Sequence, residues 1–388
     1  MAVLAISASR EPAAVPWTAV GTIGVGLFGL GLAVGGYGAY VSLLLGRGVS
    51  PEAAGFGMTL FLLGQLFAVV PADRLTRTRP VERIAAAGLI LAGVGIAVGA
   101  VPALETTYLS RLVLGLGQGT AFIAGMKYVG LRTTGVNTAT AQGLLGALFT
   151  LGLAAGLAVT PVAVPAVGPA IPAAVASVVA VGAGGLTGRL SPIITSATRP
   201  LRAYLEPFAS AGGLALGLGN MATFGFLMVA ATWYAEVLTG TKLPATGVLV
   251  GFALATVMGR GLGGWLSRAK GERATVVGSM LGLSVVLGGL AAAIAVDFAT
   301  GIGVALVATG FGFGVPFGPL FSIAFSELAD DPGVTLSGMM VVGNGGALVF
   351  PWLVGWLLAA TATYAAGFAT MAATVAAIWV LWMLTVGQ

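Results

Sequence analysis

Twelve segments of the sequence are long and apolar enough to cross a membrane as helices. A helix rises about 1.5 Å per residue, so about 20 apolar residues span the roughly 30 Å of hydrocarbon in a bilayer. Only 7% of the 388 residues are charged, whereas 58% are hydrophobic and another 63 are glycine, which leaves too few charges to cover a soluble protein. The sequence therefore predicts an all-α polytopic membrane protein with twelve transmembrane helices. The predicted spans are 17–45, 53–72, 81–101, 106–127, 138–160, 165–187, 209–238, 244–267, 273–296, 299–327, 333–358 and 362–386.

Two missing residue types narrow the range of functions. The chain has no cysteine and no histidine, which excludes thiolate chemistry and removes the commonest general base and metal ligand. We therefore expect no enzymatic activity, no cofactor and no bound metal. The net charge of +5 is explained by orientation in a membrane, so we do not expect nucleic-acid binding.

The basic residues fall mostly in alternate loops. Thirteen lie on one side of the predicted membrane, and the loops of the other side carry only Arg47 and Lys242. Because short loops rich in Lys and Arg stay in the cytoplasm, we predict a multi-pass protein of the cell membrane with both termini cytoplasmic. The thirteen residues are Arg10, Arg74, Arg77, Arg79, Arg83, Lys127, Arg132, Arg189, Arg199, Arg202, Arg268, Lys270 and Arg273.

The two halves of the chain resemble each other at a shift of about 194–195 residues. The longest polar stretch between spans separates six spans from six others. We therefore predict an N-terminal six-helix bundle over 1–188, a cytoplasmic linker over 189–208 and a C-terminal six-helix bundle over 209–388, related by duplication. The matching residues include Tyr40 with Tyr234, Gly46 with Gly240, and Gly115, Gly117 and Gly119 with Gly310, Gly312 and Gly314.

A short basic link follows the second span of each half. The first reads Pro-Ala-Asp-Arg-Leu-Thr-Arg-Thr-Arg-Pro over 71–80, and the second reads Gly-Gly-Trp-Leu-Ser-Arg-Ala-Lys-Gly-Glu-Arg over 263–273. Together they resemble the loop signature of the major facilitator superfamily, roughly Gly-x-Leu-x-Asp-Arg-x-Gly-Arg-Arg. The first copy keeps the Asp-Arg pair without the glycines, and the second keeps the glycines without the aspartate. The resemblance implies gating roles for Asp73, Arg74, Arg77, Arg268 and Arg273, although topology anchoring alone also explains basic loops.

The resemblance extends over essentially the whole chain and includes span 4, where Arg111 precedes a ladder of alternate glycines. It implies a monomeric secondary transporter whose two bundles rock around a central site and move a small solute across the bilayer by alternating access. It also places Asp73 against the start of span 11 near Thr335, where a helix N-terminus favours a carboxylate. Arg111 either snorkels to the membrane surface or lines the cavity.

Span 8 contains the candidate for the main substrate-binding charge. Arg260 lies eight residues before Arg268, which places it about 12 Å from the cytoplasmic end of the helix. A lone cation at this depth is costly and usually functional, and no carboxylate of the sequence lies deep within a span. The surrounding residues resemble span 8 of the nitrate/nitrite porter group, in which such an arginine binds the anion. The match is partial, because that group has a second arginine in span 2 where this chain has Gln65. The fixed charges expected in the cavity, Arg111 and Arg260, favour an anionic solute, and a packing role for Arg260 is left open.

Four further residues complete the candidate substrate-binding set. Asn344, Asn220 and Gln65 carry amides that either join helices or contact the solute. Tyr37 either anchors span 1 at the membrane interface or contacts the solute. Anchoring at the interface also explains most of the other aromatic residues at the outer ends of spans 1 and 7, which are Tyr40, Trp233 and Tyr234.

Two alternatives to an anion transporter remain open. One is a facilitator or efflux permease for a neutral or hydrophobic compound, and the other is a non-transporting membrane receptor or scaffold.

Overall fold

The structure is a computed structural model and describes residues 15–133, 136–195, 199–328 and 331–385. These residues include twelve helices that are long and apolar enough to cross a membrane, which confirms the predicted number of spans. Arg10, one of the predicted basic-face residues, lies outside the described residues. The helices are α1 (Trp17–Leu45), α2 (Pro51–Leu75), α3 (Val81–Val98), α4 (Leu104–Leu131), α5 (Val136–Val167), α6 (Ala170–Thr187), α7 (Ala211–Thr239), α8 (Ala245–Lys270), α9 (Glu272–Ala295), α10 (Ala299–Glu327), α11 (Pro332–Thr361) and α12 (Ala365–Thr385).

The largest boundary difference lies between the fifth and sixth spans. The sequence predicts that span 5 ends at residue 160, but α5 continues through Pro161 and Pro165 to Val167. Each proline removes one backbone hydrogen bond, and membrane helices tolerate this loss where neighbouring groups satisfy the freed carbonyl. The predicted limits of 138–160 and 165–187 are therefore wrong at this junction, because the two prolines lie within α5 instead of ending it.

Within the described part of the chain, four of the twelve helices are interrupted. α1 breaks at Gly36, α10 at Pro316 and α11 just before Pro351. α7 contains one π-helical turn over Met221–Gly225. Prolines explain the breaks in α10 and α11, and π turns in a helix frequently mark functional sites.

The two halves use the same helix pairs. In the first half, α1 packs against α5 and α6, α2 against α4, and α3 against α4 and α6. In the second half, α7 packs against α11 and α12, α8 against α10, and α9 against α10 and α12. Each pair in one half is a pair of the other half shifted by six helices, as expected for a duplicated unit. The halves meet where α2 packs on α11, α5 on α8, and α1 on α7.

The glycine ladder of α4 permits close contact with two neighbouring helices. Gly115 lies against the backbone of Phe61 in α2, and Gly117 lies against the backbone of Ala92 in α3. A Cβ at either position would collide with that backbone. Small residues at such contacts are what packing between membrane helices requires, so the ladder is structural.

Candidate functional site

A small cavity lies between the two halves at mid-height. Its volume is about 20 Å³, enough for about one water molecule. α4 and α5 of the first half contribute to its wall, together with α7, α8, α10 and α11 of the second half. We call it the central cavity, and its lining residues are Gln118, Phe122, Gly146, Phe149, Asn220, Phe224, Arg260, Phe317, Phe321 and Met340.

Arg260 projects from α8 into this cavity. Its Nη1 donates a hydrogen bond to the carbonyl oxygen of Gly146 in α5, at 3.1 Å. Its guanidinium carbon lies 3.9 Å from the centre of the Phe317 ring, which provides a cation–π contact. Among the described residues, no carboxylate forms an ion pair with Arg260, and its Nε has no hydrogen-bond partner. The arginine is therefore stabilised by a carbonyl and a ring but not neutralised.

A chain of three buried amides crosses the interface beside the central cavity. Gln65 in α2 donates a hydrogen bond to Gln118 in α4. Asn344 in α11 donates to the side-chain oxygen of Gln65 at 2.7 Å, which joins the two halves. Asn220, at the start of the π turn in α7, donates to the carbonyl oxygen of Met339 at 3.3 Å. Gln65 thus does not line the cavity but is hydrogen-bonded to Gln118, which does, and Asn220 lines the cavity directly.

Several buried polar atoms around the central cavity have no partner within the described ranges. The unpartnered donors are Gln118 Nε2 and Arg260 Nε, and the unpartnered acceptors are Asn220 Oδ1 and Asn344 Oδ1. An unsatisfied buried polar group costs about 1–3 kcal/mol. A polar solute that bonds to these atoms would recover part of this free energy, so the cluster has the chemistry of a binding site.

Arg111 and Tyr37 lie together, away from the central cavity. The guanidinium carbon of Arg111 is 3.9 Å from the centre of the Tyr37 ring, and its two terminal nitrogens lie 3.3 and 3.4 Å from the carbonyl oxygen of Ala33. Arg111 is 6% exposed and turns into the first half, so it does not snorkel. The Tyr37 hydroxyl donates to the carbonyl oxygen of Ala54 at 2.7 Å.

The expected interfacial anchoring is wrong for three of the aromatic residues. Tyr37, Trp233 and Tyr234 are fully buried between helices. The Trp233 indole donates to the carbonyl oxygen of Pro351 at 3.0 Å, and the Tyr234 hydroxyl lies 2.9 Å from the hydroxyl of Thr309. Each polar tip thus finds a partner inside the protein, where aromatic residues at helix ends were expected to face the headgroups.

An ionic network joins the halves at the basic face, which we define as the end of the molecule that carries Asp73 and Arg77. Arg77 pairs with Asp73 at 2.7 Å and with Asp331, the residue before α11, at 2.8 Å. Lys127 of α4 also pairs with Asp73, at 3.0 Å, and the Tyr204 hydroxyl donates to Asp73 at 2.7 Å. The Arg77–Asp331 pair connects the α2–α3 link to the second half, so the two halves are in contact at the basic face.

Mutual stabilisation of the charges is visible in their pKa values. Burial lowers the pKa of Arg77, but its hydrogen bonds with Asp331 and Asp73 outweigh burial and raise that pKa above its usual range. Burial raises the pKa of Asp331, but Arg77 and the Val334 amide outweigh this and hold the pKa below its ordinary value. Burial and the bond to Asp73 raise the pKa of Tyr204, so it stays a neutral donor.

The predicted gating residues divide into two groups. Asp73 and Arg77 belong to the network, and Arg273 forms an exposed pair with Glu327 at 2.7 Å. Arg74 and Arg268 are exposed, and none of the ion pairs found in the described ranges includes them.

Two carboxylates, Asp73 and Asp331, lie at the start of α11, and Asp331 is the one that caps the helix. Asp73 lies near Gly333 at the start of α11, as the family resemblance implied. However, Asp331 accepts the hydrogen bonds from the amides of Gly333 and Val334, at 3.1 and 3.3 Å. The Asp-Pro pair at the start of α11 is a capping signal that the sequence offered. The charge pattern predicts only an anchoring role for Lys127, and no sequence signal points to Tyr204.

The two halves also meet at the face opposite the basic face, here the distal face. The Thr59 hydroxyl of α2 donates to the carbonyl oxygen of Leu348 in α11 at 2.9 Å, and Ser42 of α1 bonds Glu236 of α7. Gly355 of α11 lies against the backbone of Pro51. The two halves are therefore in contact at both ends of the interface that holds the central cavity.

These features define a polytopic membrane protein of two repeated six-helix units with a polar cavity at their interface. The family model of the Major Facilitator Superfamily matches residues 23–351, and the chain belongs to that superfamily. It is therefore a multi-pass secondary transporter of a small-molecule solute. A search of curated proteins gave no match to the chain.

Proposed function

We propose that this transporter carries a small anionic solute, which binds at Arg260 between the two halves. The observation that carries the proposal is the unneutralised charge of Arg260 in the central cavity. A buried guanidinium without a carboxylate partner favours an anion as its counter-charge. A small oxyanion could accept two parallel hydrogen bonds from the planar guanidinium.

The neighbouring amides support this assignment. Gln118 Nε2 is a second unpartnered donor beside the cavity, and anions require donors. Gln65 already donates to Gln118 and accepts from Asn344, so its role is to position Gln118 rather than to bind the solute alone. Among the described residues that line the central cavity, none is a carboxylate that would repel an anion.

Uptake into proteoliposomes tests this proposal. Nitrate, nitrite, phosphate and acetate serve as anionic probes, and glycerol and glucose as neutral probes. For an anion that is transported, Arg260→Lys should lower affinity tenfold or more even though the charge is kept, because an ammonium cannot form the two parallel bonds. Gln65→Ala should lower affinity less, because Gln65 acts through Gln118.

The control is Arg189→Lys, at an exposed arginine of the basic face. Wild-type affinity in Arg260→Lys, or transport of neutral probes alone, would refute the assignment.

A neutral or hydrophobic solute is the second candidate, and one observation favours it. Five phenylalanines line the central cavity, and the Arg260 guanidinium packs on one of them, Phe317. Arg260 would then only pack α8 against α5 through its bond to Gly146. In that case Arg260→Lys should change transport little, and anions should not compete with a neutral probe.

We also propose how the molecule sits and moves. The basic face is cytoplasmic in a cell membrane, by the charge asymmetry of the loops. The chain acts as a monomer without enzymatic activity, and residues 1–188 and 209–388 are the two rocking units, joined by the linker 189–208. The network around Arg77 is then the cytoplasmic gate, and the contacts of α11 with Thr59 and Pro51 are the opposite gate.

A further inference from the structure

A second and larger cavity lies inside the first half, separate from the central cavity. Its volume is about 230 Å³ against about 20 Å³ for the central cavity. Parts of α1, α3, α4, α5 and α6 line it towards the distal face, and none of its lining residues lines the central cavity. We call it the lateral cavity.

The lateral cavity reaches the lipid-facing surface between α5 and α6. Four of its lining residues are about half exposed: Val159 (56%), Val167 (50%), Ile171 (52%) and Val175 (52%). Exposed apolar side chains within a span face lipid. A molecule in the bilayer could therefore enter this cavity from the side, between α5 and α6.

A single buried cation lines the inner part of the lateral cavity. Arg111 lies seven residues inside the start of α4 at Leu104, about 10 Å deep. None of the ion pairs found in the described parts of the chain includes Arg111, and the nearest acceptor, the Ala33 carbonyl, is 3.3–3.4 Å away. Tyr37 covers one face of its guanidinium. The rest of the cavity lining is largely apolar, with a few hydroxyls that include those of Ser110 and Thr160.

This combination of features defines the ligand by its chemistry. An unneutralised buried cation favours an anionic group. An apolar wall and an opening at lipid-exposed valines favour a hydrocarbon chain. We propose that the lateral cavity binds an anionic amphiphile from the bilayer, with its carboxylate or phosphate on Arg111 and its chain leaving between α5 and α6. This site is additional to the central solute site and does not depend on the identity of the solute.

Quenching of a fluorophore tests the proposal. The chain has no cysteine, so Val178→Cys, one turn from the cavity and 70% exposed, can carry a single label. The probe is stearate with a nitroxide near its carboxyl end, added to protein in nanodiscs of neutral lipid. We expect saturable quenching by the acid and only non-saturable quenching by its methyl ester. Equal saturable quenching by both would overturn the proposal.

Two variants test whether the stearate probe binds in the lateral cavity itself. Arg111→Gln should weaken stearate binding tenfold or more, because a charge-assisted bond is lost. Ala163→Phe fills the cavity from α5 while keeping Arg111, and should abolish saturable quenching. Its matched control is Val162→Phe, at an adjacent exposed residue that does not line the cavity. Wild-type quenching in Ala163→Phe, or in a folded Arg111→Gln, would overturn the proposal.

The source of the amphiphile is settled in the same system. Competition by phosphatidylglycerol without its movement between leaflets identifies a resident anionic lipid. Movement of labelled phosphatidylglycerol to the opposite leaflet in vesicles, lost in Arg111→Gln, identifies a transported amphiphile. Arg260→Gln should leave stearate quenching unchanged, so failure of the central-site assignment would leave this one standing.

Discussion

The charge of Asp331 can be removed from the basic-face network without removing its helix cap. Asparagine is as good an N-cap as aspartate, so Asp331→Asn should keep the bonds from the Gly333 and Val334 amides. It loses the ion pair with Arg77 at 2.8 Å and a longer pair, at 3.4 Å, with the exposed Arg199 of the linker. The Arg77–Asp331 pair joins the two halves, so the substitution should favour opening of the basic face.

The size of the effect follows from the burial of the pair. Arg77 is 4% exposed and Asp331 is 19% exposed. An exposed pair contributes about 0.2–1 kcal/mol, and breaking a fully buried one costs about 3–5 kcal/mol. Asp73 still neutralises Arg77 in the variant. We therefore expect the free-energy difference between the closed and the open basic face to change by about 1–2 kcal/mol. This corresponds to a roughly 5- to 30-fold shift towards the open basic face.

Thiol labelling measures this shift. Ser337→Cys places a thiol on α11 behind the network, at a fully buried position near the Val69 carbonyl. Its labelling by a maleimide should accelerate about 5- to 30-fold when Asp331→Asn is added. The control is Glu327→Gln, which removes the exposed pair with Arg273 on the same face and should change labelling about twofold at most. Equal labelling with and without Asp331→Asn, in folded protein, would refute the gating role of the pair.

The pH dependence of labelling checks the same reasoning. Arg77 holds the pKa of Asp331 below its ordinary value, so the ion pair is present above that ordinary value, about 4. It is lost only as pH falls through the depressed pKa. Labelling of Ser337→Cys, normalised to a free thiol at each pH, should therefore be constant from about pH 5 to 8 and rise only below about 4. A transition near neutral pH would contradict this assignment.

Two further predictions concern the distal face and the orientation. The Cβ added by Gly355→Ala should collide with the backbone of Pro51 and open the distal face, which faster labelling of Thr59→Cys would measure. The matched control is Gly345→Ala, where a Cβ meets nothing within 4 Å. Equal labelling in the two variants would refute the contact. A cysteine at Thr78, exposed in the α2–α3 link, should resist an impermeant reagent added outside intact cells. Labelling there would reverse the proposed topology.

The sequence by itself was sufficient for the number of helices and the family. Hydrophobic length is a local property, so each span could be identified from its own residues, and Pro161 and Pro165 affected only the junction between spans 5 and 6. The duplicated links after spans 2 and 8 and the glycine ladder of α4 pointed to the superfamily, since they require no knowledge of contacts.

The tertiary structure decided which side chains meet, because that depends on how each helix is rotated about its axis. Arg77 and Asp331 are 254 residues apart in the chain, and Gln65 and Asn344 are 279 apart. No local pattern encodes such distant pairs. Arg111 shows the same limit: its place in span 4 followed from the sequence, but only the packing of α1 against α5 and α6 showed that it faces a lateral cavity rather than the central one.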